Sequence, residues 1–175
     1  MSTPSPVPDI RGTITLAVPA ERAFAVFTGS FGTWWPREYH IGQAEMADAI
    51  VEPHAGGRWY ERGTDGSECD WGRVLAWDPL RRLVVTWQVN GQWQYDPDPA
   101  HASEIEVRFT PDGAGQTIVG LEHRHLGRLA AGQASRRGIV FRRRLERHPG
   151  TFRPGGRHPV TRPARSGGCG GHGRS

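Results

Sequence analysis

The 175-residue sequence contains no lysine; all 22 of its basic residues are arginine. It holds only two cysteines, Cys69 and Cys169, in very different contexts, and reduced thiols in a cytoplasmic protein are the expectation. No run of about 18 apolar residues occurs, so no membrane span is expected. The Pro- and Ser-rich start has neither a basic nor an apolar segment of the kind that marks a secretory signal. Also missing are a Gly-x-Ser-x-Gly elbow, a phosphate-binding P-loop and a dinucleotide glycine pattern after a strand. Cys69 lies between Glu68 and Asp70, and acidic neighbours oppose formation of a nucleophilic thiolate. His123 and His125 share the side of a strand end, but two ligands do not make a metal site, and no carboxylate or cysteine stands at a supporting interval. Neither a metal nor a cofactor is expected, and nothing demands catalysis.

Charge is unevenly distributed. Residues 1–137 carry 13 Arg against 17 acids, whereas residues 138–175 carry 9 Arg against Glu146 alone. The net charge of +4 is therefore an acidic body plus a basic tail. Such a sum does not point to specific nucleic-acid binding, which needs a basic surface on the folded domain.

Periodicity supplies the architecture. Thr13–Val18 is β-prone. Pro19 suits the first turn of a helix over Glu21–Phe27, where its missing N–H is no loss. Gly29–Gly32 breaks that helix, and Phe31–Pro36 reads as a second short turn rich in aromatics. From Ala47 the apolar period becomes two, giving strands at 47–52, 58–62, 70–77, 83–87, 104–109 and 116–123. In the last two, Ile105, Val107 and Phe109 share one face, as do Thr117, Val119, Leu121 and His123. The pattern predicts an antiparallel meander with one apolar face, which needs a cover. A long helix after His123 would supply it, starting within Leu126–Arg137.

This order, with Val18–Phe24, Trp34-Trp35-Pro36, Glu52-Pro53, Gly56–Arg62, Trp71–Trp77, Arg82–Trp87, Glu104–Thr110 and Leu121–Arg124, resembles the SRPBCC (START-like, helix-grip) superfamily. The branch it resembles is related to the activator of the heat-shock-protein-90 ATPase. The resemblance covers residues from about 11 to 137. It implies an α+β helix-grip fold: a seven-stranded curved antiparallel sheet, two short helices after the first strand, and a C-terminal helix that leaves a cavity against the sheet. The domain is expected over 11–147, between a disordered N-terminus (1–10) and a disordered basic Gly/Pro-rich tail (148–175).

The tail departs from the family pattern, which continues Gly-Gly-Trp-x-Gly-Ile-Leu-Glu-Arg-Phe. Synonymous codons for Phe141–Phe152, read one nucleotide later, spell Ser-Gly-Gly-Gly-Trp-Ser-Gly-Ile-Leu-Glu-Arg-Phe. A frameshift would restore the family pattern and account for the jump in charge; the alternative is a genuine, divergent basic tail. As written, a helix can extend only over Leu126–Arg147 before His148-Pro149 stops it, so the covering helix is expected to be shortened or damaged.

The implied cavity assigns a role to the seven tryptophans. Trp35, Trp59, Trp71, Trp87, Val107, Phe109, Leu121 and His123 are the candidate lining. Arg58, Glu61, Arg73 and Glu122 are weaker candidates for charge inside it, with surface cross-strand pairing as the alternative. The expected function is binding of a hydrophobic small molecule without intrinsic catalysis. The alternatives are a polyketide cyclase- or dehydratase-like enzyme, and an interaction protein that modulates a chaperone in a stress response.

Overall fold

In the computed structural model, residues 8–90, 92–113 and 115–128 are described. The chain runs β1 (Ile10–Leu16), α1 (Ala20–Gly29), α2 (Phe31–Trp34), then β2 (Met46–Val51), β3 (Arg58–Gly63), β4 (Glu68–Asp78), β5 (Arg82–Trp87), β6 (Ser103–Pro111) and β7 (Thr117–Arg124). All pairings are antiparallel, and the seven-stranded order is β1-β7-β6-β5-β4-β3-β2. The expected meander is therefore present, with β1 returning to pair along β7. β1 begins at Ile10 because its register with β7 reaches His123, one residue before the boundary drawn at 11.

Alternation decides which side chains face inward. Along β7, Thr117, Val119, Leu121 and His123 are buried, while the residues between them are only partly so. On β6, the inward set is Ser103, Ile105, Val107 and Phe109. Glu106, between them, is also buried, because Arg124 covers it from the neighbouring strand (Nη1 to Oε2, 2.7 Å). Register shifts in the β2–β3, β3–β4 and β4–β5 pairings add local twist that curves the sheet.

Two glycines permit close approach. A Cβ on Gly72 would lie 2.0 Å from the Thr86 carbonyl oxygen of the adjacent strand. One on Gly32 would lie 2.7 Å from the Ala49 backbone nitrogen, a rigid neighbour, so α2 seats this closely on β2 because residue 32 has no side chain.

The connection from β5 to β6 had no assignment from periodicity. It folds back on itself through a Val89–Tyr95 bridge and a Gln88 amide bond to the Asp96 carbonyl (3.1 Å). Within it Trp93 adopts a left-handed backbone (φ 61°) and stacks on Tyr39 at 5.9 Å. After β7 the chain forms a 3-10 turn at Leu126–Arg128. The expected C-terminal helix and basic tail otherwise lie outside the described residues, as does nearly all of the N-terminal segment.

Candidate ligand-binding face

The inward face carries a contiguous aromatic wall. Trp71 is its hub, with ring centroids 5.4 Å from Trp35, 5.4 Å from Trp59 and 6.2 Å from Trp87. Trp59 and Trp87 are themselves 5.4 Å apart. Phe31 of α2 stacks on Trp35 at 5.3 Å and meets Trp59 edge-on at 5.7 Å. The wall exists because period-two alternation on β3, β4 and β5 sends Trp59, Trp71 and Trp87 to one side. The two aromatics after α1's break reach it from the opposite layer.

All eight residues named from the sequence are buried on this interior, but they divide into groups. Trp35, Trp59, Trp71 and Trp87 form the wall. Val107 and Leu121 are register partners in the middle of the sheet. Phe109 is held by α1, with Phe24 at 5.3 Å and Phe27 at 5.6 Å, so its ring is committed to helix–sheet packing. His123 lies at the Trp87 end, where Ser103 is the register partner of Trp87.

Polar groups on this face are few and mostly committed. Thr117 donates to the Val18 carbonyl (2.8 Å). Glu61, 2% exposed, accepts hydrogen bonds from the Ile41 amide (2.8 Å), the Trp71 indole (2.8 Å) and the Gly42 amide. It therefore ties the segment before β2 to the sheet interior. Of the four charged candidates it alone turns inward. Arg58 and Arg73 face each other across β3 and β4 at the surface, and Asp70 relieves their repulsion with bonds of 2.7 and 2.8 Å. Glu122 pairs with Arg11 at 2.9 Å on the outer face.

Two features remain. The Trp59 indole nitrogen is buried and has no hydrogen-bond partner. A buried N–H left so loses about 1–3 kcal/mol relative to a satisfied one. His123 Nε2 lies 2.8 Å from the Ser103 hydroxyl, and both residues are buried. Burial disfavours the imidazolium and pushes its pKa down to about 4, against a small opposing effect of Asp9. Ser103 went unnoticed in the sequence, although its place two residues before Ile105 puts it on the same face.

His125 does not join His123. β7 ends at Arg124, and His125 has a left-handed backbone (φ 61°) with its side chain 42% exposed. Among the described residues no group of three or more His, Cys, Asp or Glu could hold a metal ion. Cys69 is buried on β4 and is not a free thiol, contrary to the reduced state expected of it.

The family model described as Activator of Hsp90 ATPase homolog 1-like protein matches residues 17–149. The chain belongs to this family. The match runs past residue 137, the limit of the resemblance that the sequence motifs carry. Among solved structures, the anthrahydroquino-gamma-pyrone synthase Txn09, complexed with SUM, is 39% identical, with a TM-score of 0.55, over 86% of this chain and 95% of that one. The self-sacrificing resistance protein CalC from Micromonospora echinospora is 30% identical, with a TM-score of 0.55, over 77% and 83%. CalU16 from the same organism shares the fold at 19% identity and a TM-score of 0.53, over 79% and 71%. The search of curated proteins gives no match. No helix among the described residues is long and apolar enough to cross a membrane.

Proposed function

We propose that this protein binds a planar, largely apolar small molecule of the polycyclic aromatic class against the wall formed by Trp35, Trp59, Trp71 and Trp87. The carrying observation is the buried Trp59 N–H without a partner, set in an otherwise apolar aromatic surface. Flat rings stack favourably on such a wall, and a carbonyl on the ligand would satisfy the indole. Likeness to Txn09 over most of both chains supports the same ligand class.

Tryptophan fluorescence provides the test. Anthraquinone should quench it saturably, and stearate of comparable apolar area should not. Trp59→Phe, which keeps the ring and removes the N–H, should weaken anthraquinone binding about fivefold to tenfold, the equivalent of one hydrogen bond. Linear, unsaturable quenching, or equal affinity for the two probes, would refute the assignment. Native mass spectrometry for a co-purified compound is the complementary search.

A second reading, ring closure catalysed on such a ligand, is favoured by the neutral His123 beside Ser103 and by the synthase relative. Product formation from a polyketide-type precursor, followed by chromatography and mass spectrometry, separates it from binding alone. A chaperone-modulating role would be favoured by a broad exposed apolar patch. Among the described residues the exposed large hydrophobic side chains are Leu75 and Leu80.

A further inference from the structure

The two edges of the seven-stranded sheet differ in how they are protected. A sheet edge presents unpaired backbone N–H and C=O groups, and folded proteins usually blunt it with proline, charge, a bulge or a covering element. At the β2 edge three such devices are present. The pairing of β2 with β3 is interrupted by a register shift between Met46 and Asp48. The Asp48 carboxylate accepts a hydrogen bond from the Ala49 amide of its own strand at 2.8 Å. α2 packs at the same place, where a Cβ on Gly32 would stand 2.7 Å from the Ala49 nitrogen. β1, at the opposite edge, has no bulge and no proline. All seven of its residues, Ile10 to Leu16, pair with β7 in unbroken register. Among the described residues, no backbone hydrogen bond reaches β1 from anything but β7. Its single charged residue, Arg11, is turned back over β7, with Nη2 2.9 Å from Glu122.

We propose that β1 is a self-association surface, on which two copies of this chain pair β1 to β1, antiparallel, and join their sheets into one. The strand is self-complementary about Thr13. With Thr13 opposite its own counterpart, Ile10 faces Leu16, Arg11 faces Thr15 and Gly12 faces Ile14, so all seven residues are used and no like charges meet. The twofold axis then passes between the two copies of Thr13, normal to the sheet. The buried faces of both copies, marked on β1 by Ile14 and Leu16, therefore lie on the same side. Thr13 and Thr15 stand on the exposed side, where threonine pairs across antiparallel strands are favourable. A second copy is the occupant that fits, because the contact is isologous and closes at two. Pairing of β1 with β2 of another copy would propagate into a fibre, and the bulge and the Asp48 carboxylate at β2 oppose it. One strand per copy makes a small interface, so a dissociation constant of about 10–100 µM is expected. The contact uses none of the residues of the aromatic wall.

Sedimentation velocity of the full chain from about 1 to about 500 µM, a range that spans this constant, should show a reversible monomer–dimer shift. Thr13→Lys and Thr13→Glu each set like charges opposite one another at an exposed position. Each alone should raise the dissociation constant about threefold to tenfold at low ionic strength, and their equimolar mixture should return it to about the wild-type value. Ala47→Lys, at an exposed position on the β2 edge, should leave the constant unchanged. Hydrogen exchange of the wild type gives a readout independent of variant folding: β1 amides should exchange more slowly as concentration rises, and β2 amides should not. A dimer that Thr13→Lys does not weaken, a mixture that does not recover, or protection confined to elements other than β1 would overturn the proposal. A wild type that stays monomeric throughout, with β1 amides exchanging equally fast at both ends of the range, would overturn it too and leave the edge to an extended segment of another protein.

Discussion

Glu61 offers the sharpest test of how the interior is held together. A carboxylate at 2% exposure would be heavily destabilising without partners, and here two backbone amides and one indole N–H converge on it. Glu61→Ala removes the acceptor for all three. Each orphaned donor costs about 1–3 kcal/mol, offset where water enters the space left behind. Removing one side of a buried charged network usually costs about 3–5 kcal/mol, and that is the expected loss in urea unfolding. Glu61→Gln keeps the shape and one acceptor oxygen but turns an NH2 towards the remaining donors. It should lie between wild type and alanine, near about 2 kcal/mol. Combining Glu61→Gln with Trp71→Phe isolates the indole bond, because Trp71→Phe deletes that donor and keeps most of the ring packing. A coupling of about 1–2 kcal/mol is expected. If Glu61→Ala unfolds within about 1 kcal/mol of wild type with an unchanged m-value, the carboxylate is not holding the segment before β2 and the reasoning fails.

Other perturbations probe the remaining contacts. Trp87→Ala, which empties a large site next to Trp59 and Trp71, should lower stability by about 3–5 kcal/mol; a thermal shift near zero would mean that the ring is not in the core. Gly72→Ala should cost at least about 1–3 kcal/mol because the new methyl meets the Thr86 carbonyl, a rigid neighbour; wild-type stability would show that β4 and β5 can separate freely. His123 should make stability fall as pH drops from about 6.5 to about 4, since in that window the unfolded chain takes up a proton that the folded chain refuses. The full effect is about 3 kcal/mol, and it should be missing from the difference curve of His123→Gln. The shifted-frame reading of Phe141–Phe152 is checked by resequencing the gene across codons 135–155, where an added or missing nucleotide is expected.

The fold was largely legible because its signals are local. Strict alternation through Ile105, Val107 and Phe109, and again through Thr117, Val119 and Leu121, names both the strands and their inward faces. The glycines of the 113–115 loop mark the hairpin between them, with positive φ at Gly113 and Gly115. The β5–β6 connection was not legible. Its form depends on contacts between its ends, such as Gln88 to Asp96, and on Trp93 reaching Tyr39 far earlier in the chain. No window of sequence contains both partners. Strand ends suffer in the same way: alternation sets His125 on the side of His123, but β7 ends at Arg124 and the left-handed backbone of His125, which few side chains favour, breaks the alternation.

The candidate site was legible as a list and illegible as an arrangement. Period two places Trp59, Trp71, Trp87 and His123 on the inner face, but it does not say which of them meet. Glu61 illustrates the limit. On sequence it belongs with Arg58, Arg73 and Glu122 as one of several charges on strands, and surface pairing is the ordinary fate of such groups. Only the chain reversal before β2 brings the amides of Ile41 and Gly42 within reach of its oxygens, and only then is burial tolerable. Ser103 illustrates the converse, a small polar residue with no motif of its own. It gains a chemical role from cross-strand register, which sets it beside Trp87 on one side and brings His123 to its hydroxyl. The two residues stand 20 positions apart in sequence and 2.8 Å apart in space. Which side chains meet is a property of the sheet register, which is why composition and spacing indicate an apolar inner face but not the pairings within it.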